Sequence, residues 1–174
     1  ISLAENGKLE EALKVFKEGY TKNPKNIKTV RYLALCYSRL GDTPNGKKYF
    51  EEALKIDKND TESLYNYAVL CYGNKEYEKS KEILERIKIE SIDKKIILAK
   101  GYVYYQLNEY QNSYDEFSKI VEDGTDYSIE VYSIYTETMK KVDKNDKIYP
   151  FLQSKYMKDI NNYQKVDLFV KYLI

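Results

Sequence analysis

Large apolar residues return along the chain on a fixed beat: Phe16, Phe50, Leu84, Phe117 and Phe151 are separated by 34, 34, 33 and 34 residues. Four residues before the first four stand Ala12, Gly46, Ser80 and Ser113, all small, and before the fifth Lys147 breaks the rule. A small residue one turn from a large one on the same helix face lets a second helix approach closely. A second beat runs through Leu33-Ala34, Tyr67-Ala68, Lys100-Gly101 and Ile134-Tyr135, with Val30, Leu64, Ile97 and Val131 one turn earlier. Within each stretch the apolar steps are three and four residues, as in Val30-Leu33-Ala34-Tyr37 and Phe50-Ala53-Leu54. That is helix spacing, not strand alternation. The pattern predicts an all-α fold with two helices per period.

Punctuation sets the limits of these helices. Gly41-Asp42-Thr43-Pro44 stops one helix and starts the next, since proline is tolerated in a first turn where its missing N–H has no partner to lose. Asn23-Pro24-Lys25-Asn26, Asp57-Lys58-Asn59-Asp60 and Glu122-Asp123-Gly124-Thr125 mark breaks between periods.

The run Leu33-Ala34-x-x-Tyr37, followed by Gly41, Gly46, Phe50 and Ala53, resembles the tetratricopeptide repeat, as do Gly7, Ala12, Phe16, Gly19 and Pro24 before it. The resemblance implies an α-solenoid: a right-handed superhelix of antiparallel helix-turn-helix repeats forming a single array over 1–174. It divides into a partial repeat at 1–26, repeats at 27–60, 61–93 and 94–127, a degenerate repeat at 128–160 and a terminal helix at 161–174. Departures are Lys58 in place of a repeat-ending proline, Asn74 and Asn108 near the inter-helix glycine, and Lys100 at a core position. The apolar end at Phe169 to Ile174 contrasts with the polar cap such arrays normally carry. It suggests a portion of a longer array, or else a capping helix.

Stacked hairpins leave a concave surface lined mainly by first helices. One residue beyond the packing positions, the stripe expected to face it reads Arg31-Leu35-Ser38, Tyr65-Val69-Tyr72, Leu98-Tyr102-Tyr105 and Tyr132-Thr136-Met139. Tyrosine gives contact area at low rotamer cost and a hydroxyl for a peptide backbone. Tyr65, Tyr102, Tyr105 and Tyr132 are therefore the leading candidates, with Leu35 and Val69 as apolar contacts and Arg31 and Asn66 as polar ones. The competing reading makes each tyrosine a packing ring, and it is preferred for Tyr37, Tyr67, Tyr104 and Tyr110. Some relatives of the family clamp a chaperone's C-terminal carboxylate. Here Asn66 matches one clamp position and Arg31 stands for a lysine, but Leu35 and Ala99 replace an asparagine and an arginine, so that clamp is incomplete.

Composition narrows the alternatives. Lys and Arg total 29 against 28 Asp and Glu, so no bulk field points to nucleic acid or a membrane surface. No apolar run of spanning length occurs. Histidine is absent, which removes the usual acid–base group and the commonest metal ligand. The segment Asp57 to Glu62 lacks the glycine and distal glutamate of a calcium loop. Cys36 and Cys71 form no C-x-x-C pair and fit reduced thiols in a cytoplasmic setting. The expectation is a non-enzymatic module that needs no cofactor or metal and holds a protein or peptide segment. The alternatives are a regulatory or substrate-presenting part of a larger enzyme or DNA-binding regulator, and a scaffold that self-associates through its terminal helices.

Overall fold

The computed structural model describes residues 8–88, 93–121 and 125–156, and over these the chain is all α-helix and connecting turns. The helices are α1 Leu9–Lys22, α2 Ile27–Arg39, α3 Thr43–Ile56, α4 Thr61–Gly73, α5 Tyr77–Glu85, α6 Lys94–Gln106, α7 Tyr110–Val121, α8 Ile129–Lys141 and α9 Asn145–Tyr156. They fall into two compact units that divide between residues 90 and 91. The expected terminal helix at 161–174, and the start of the partial repeat, lie outside the described residues.

Caps sit where the punctuation placed them. Asn26, Asp42 and Asp60 accept backbone N–H bonds from Thr29, Asn45 and Ser63, starting α2, α3 and α4. Within each hairpin the first helix ends in the same motif: Asp42, Glu76, Glu109 and Lys144 donate their N–H groups to the carbonyls of Tyr37, Cys71, Tyr104 and Met139 at 2.8–2.9 Å. The residue before each donor is left-handed: Gly41 (φ 79°), Lys75 (61°), Asn108 (60°) and Asp143 (57°). In the second repeat the residue in this conformation is Lys75, not its neighbour Asn74.

Two of the hairpins are closed by a contact across twelve residues. Ser80 Oγ donates to the carbonyl of Ala68 and Ser113 Oγ to that of Gly101, both at 2.8 Å and both buried. A hydroxyl that bonds to main chain in this way brings the helix axes close. In the first complete repeat the parts are rearranged. Gly46 packs against Ser38, whose Oγ donates along its own helix to the carbonyl of Ala34 at 2.7 Å. A Cβ on Gly46 would lie 2.6 Å from that hydroxyl oxygen, so the glycine makes room for the serine. Gly101 serves the same end, since a Cβ there would meet the Phe117 ring at 2.7–2.9 Å.

In the N-terminal unit, α1 to α5 bury Val30, Leu33, Ala34, Phe50, Leu64, Tyr67, Ala68 and Leu84, with Phe16 stacked on Tyr32 and Phe50 on Tyr67. Cys36 and Cys71 are free and buried in this unit, and burial pushes the Cys71 thiol up to about 11. In the C-terminal unit the core gathers Ile97, Phe117, Ile120, Tyr132, Tyr135, Met139 and Leu152. Lys100 is only half-buried, so the core position assigned to it is marginal.

Polar pairs about thirty residues apart tie successive repeats together. Lys47 reaches Glu76 at 2.5 Å and Tyr20 donates to Glu52 at 2.8 Å. The best-buried of them is Arg31, 7% exposed, whose guanidinium donates to both oxygens of Asp60 at 2.8–2.9 Å and also pairs with Glu62. Burial pushes the Asp60 carboxyl up, but hydrogen bonds from Ser63 and Arg31, with the Arg31 charge, outweigh it and hold the group below the usual range.

Gly46→Ala is expected to cost about 2 kcal/mol in urea denaturation, the range for overpacking a core contact. Adding Ser38→Ala removes the clashing hydroxyl and should recover more than half of that loss. Asp60→Asn should cost about 2 kcal/mol at neutral pH, less than a fully broken buried pair because Glu62 still reaches Arg31. Because folding lowers the Asp60 pKa, wild type's advantage over Asp60→Asn is full above about pH 4 and shrinks as acid protonates the carboxyl. Chemical melts of both proteins between pH 7 and pH 3 measure this.

Candidate protein-binding surface

The N-terminal unit brings five of the expected residues onto two neighbouring first helices, α2 and α4. Arg31 and Leu35 are one turn apart on α2, and Glu62, Tyr65, Asn66 and Val69 follow one another at helical steps on α4. The Arg31–Glu62 ion pair joins these two rows at their first turns, so they run on the same side of the stack. Along them Leu35, Tyr65 and Asn66 are half-buried and Val69 is 44% exposed. Asn66 spends one amide N–H on the carbonyl of Glu62 at 2.7 Å. Arg31 departs from its expected role: with two carboxylates on its guanidinium and almost no exposure, it is an inter-repeat strut and not a ligand contact.

The C-terminal unit holds the other three. Tyr102 is half-buried, with its ring edge-on to Phe117 at 5.6 Å. Tyr105 packs against Tyr110 and hydrogen-bonds Glu137 of α8 through its hydroxyl. Tyr132 overturns the expectation of a surface anchor. It is fully buried against Phe151, and its hydroxyl accepts the backbone N–H of Tyr127 at 2.9 Å and bonds Asp126 at 3.2 Å.

The cause is a one-residue slip in register. The left-handed turn residues Gly41, Lys75, Asn108 and Asp143 are spaced by 34, 33 and 35 residues, so the last period is one longer than the beat of phenylalanines suggests. The extra residue lies between α7 and α8: Phe117 to Tyr132 is 15 residues, against 14 from Phe50 to Leu64. Phe151 is thus not the true counterpart of Phe117. Leu152 is, and it is 1% exposed against 8% for Phe151. Ile148, buried, takes the place of the small residue where Lys147 had broken the rule, twelve residues after buried Thr136. One residue turns a helix by about 100°. Tyr132, Thr136 and Met139 therefore rotate into the core, and Ser133, Glu137 and Lys140 become the outward row of α8. The bond from Tyr105 to Glu137 falls on that row. Sequence periodicity missed these three polar residues, although Lys147 at a small-residue position already signalled the slip.

A family model for the tetratricopeptide repeat matches residues 39–93. The chain carries tetratricopeptide repeats. Its repeats are 33% identical over 75 residues to Hsp70-Hsp90 organizing protein of Triticum aestivum, covering 43% of this chain and 13% of that one. They are 26% identical over 112 residues to TPR repeat-containing protein YpiA of Bacillus subtilis (strain 168), covering 64% and 26%. The chain thus spans 13% to 26% of the length of these curated relatives. Among solved structures, MamA superposes with a TM-score of 0.79 at 15% identity over 94% of this chain and 95% of that one. YrrB, described as a TPR protein with an unusual peptide-binding site, does so at 0.79 and 12% identity over 92% and 83%. At such identities the likeness shows the fold alone, an all-α repeat solenoid. Among the described residues of these repeats no group of three or more Cys, Asp or Glu could hold a metal ion, and no helix is long and apolar enough to cross a membrane.

Tyr132→Ala is expected to destabilise the C-terminal unit by about 4 kcal/mol, the range for emptying a buried aromatic site. Ser133→Ala, one residue on but facing outward, should stay within about 0.5 kcal/mol of wild type. Thermal or urea melts of the two variants distinguish the corrected register from the even one, in which both positions face outward and neither change costs much.

Proposed function

We propose that the chain is a protein-interaction module that holds a partner segment against the outward rows of its first helices. In the N-terminal unit the contacts are Leu35, Tyr65, Asn66 and Val69; the C-terminal unit, taken by itself, offers Tyr102 and Tyr105. The observation that carries this reading is Val69, a β-branched aliphatic side chain 44% exposed in mid-helix, flanked on the same side by Tyr65 and Leu35. Paired rows of this kind offer area for an apolar side chain and, through the Asn66 amide, a polar partner for a backbone. The solved structure of YrrB, named for its peptide-binding site, supports the class of ligand.

The curated relatives' name, Hsp70-Hsp90 organizing protein, raises chaperones as partners. The row on α2 argues for a different chemistry. Arg31, the cation that would meet a terminal carboxylate, is already neutralised by Asp60 and Glu62, and Leu35 offers no hydrogen bond. The favoured ligand is a segment recognised by apolar side chains, not by its charged end.

A photo-crosslinking residue at position 69 should capture a partner from extract of the source cells. The same residue at Val15, 53% exposed on α1 and away from the rows, should not. Capture from both positions or from neither rejects the outward row as the binding face. Val69→Asp should weaken binding of the captured partner at least tenfold, since a charge buried in an apolar contact costs more than 1.4 kcal/mol, with the circular dichroism spectrum unchanged.

A further inference from the structure

The second helices of the N-terminal unit carry a separate feature. Between α3 and α5 an open pocket of about 220 Å³ is lined by the buried side chains of Leu54, Ile83 and Tyr67 and by the exposed cations Lys55, Lys79 and Arg86. Glu51 is the one carboxylate of the lining itself, and one of its oxygens is taken by the Tyr67 hydroxyl at 2.7 Å. Arg86 spends one N–H on the carbonyl of Lys58 at 3.1 Å, which fixes the guanidinium while leaving most of its donors unspent. Lys79 pairs with Glu82 at 2.9 Å, an exposed i,i+3 contact of small net worth that an incoming anion can displace.

We propose that this pocket binds a carboxylate carried on a short aliphatic stem. An inorganic anion would satisfy the cations and leave the apolar floor wet. A hydrocarbon would cover Leu54 and Ile83 and leave three positive charges facing it. A group that is aliphatic at one end and anionic at the other meets both. The volume is that of about seven waters, enough for a four-carbon acid or a glutamate side chain but not for a long fatty chain. Two sources share this chemistry, an acidic side chain on a partner and a free short-chain acid. The pocket stands apart from the outward rows of the first helices and does not depend on the function proposed for them.

The test is an amide NMR titration of the whole chain with butyrate, n-butanol and inorganic phosphate as separate probes. Butyrate should move resonances around Lys55, Tyr67, Lys79 and Ile83 saturably, and at least tenfold more tightly than butanol or phosphate. Lys79→Gln should weaken butyrate about tenfold, as for the loss of one charge-assisted hydrogen bond, and Lys55→Gln should weaken it in the same direction. Both lysines are exposed, so neither change threatens the fold. A capped pentapeptide with one central glutamate, beside its glutamine analogue, separates the sources. Binding of the glutamate peptide alone assigns an acidic side chain, and binding of butyrate without either peptide assigns a free acid. Shifts that never saturate, phosphate binding as tight as butyrate, or affinities unchanged in both lysine variants overturn the proposal.

Discussion

The hairpins α2–α3, α4–α5 and α6–α7 each depend on one close approach, between a small position on the second helix and the first helix. Where that position is serine the approach is cemented by a buried hydrogen bond to the carbonyl of Ala68 or Gly101. Where it is glycine, Ser38 donates along its own helix to the carbonyl of Ala34 and fills the room the glycine leaves. The same pair of groups, one hydroxyl and one carbonyl, is satisfied by side chains that come from different helices. Large residues one turn away, Phe50, Leu84 and Phe117, can reach the core only because this contact sets the helices close.

Between hairpins the connection has a different character. Helix faces supply apolar burial, but alignment comes from polar groups that each find a partner about thirty residues on. Asp60 does two tasks at once: it caps α4 through the N–H of Ser63 and receives the guanidinium of Arg31. One carboxylate thereby ties the start of a helix to the preceding repeat. This dual use explains why a residue that reads as turn punctuation is held below the usual carboxylate range in spite of its burial.

Most of the architecture was legible because helical periodicity and turn chemistry act locally. The cap residues, the break at Gly41 to Pro44 and the small positions all stand where the pattern put them. The outward rows were legible only while the period held. A loop one residue longer leaves little mark on hydrophobic spacing when the neighbouring position is also apolar, and Val131-Tyr132 and Phe151-Leu152 are such doublets, so that Lys147 beside Ile148 is the trace it leaves. Periodicity could not choose between the members of each pair; packing did. Arg31 escaped for another reason. Its partners, Asp60 and Glu62, lie at and just inside the start of the next first helix, and an ion pair across that separation is invisible to any reading confined to one helix.

The left-handed turn residues have a consequence for how such a chain tolerates changes of length. Counted from seven residues before the left-handed turn residue to five after it, the four hairpins share one internal spacing, Ala34 to Gly46 as Thr136 to Ile148, while the links between hairpins vary. Each hairpin is an indivisible casting, and the links are expansion joints. An added residue in a link costs little conformational entropy and leaves every internal fit intact. The same residue added between Ala68 and Ser80 would throw a whole helix out of mesh. Length variation therefore has an address in this fold, and it is the link and never the hairpin.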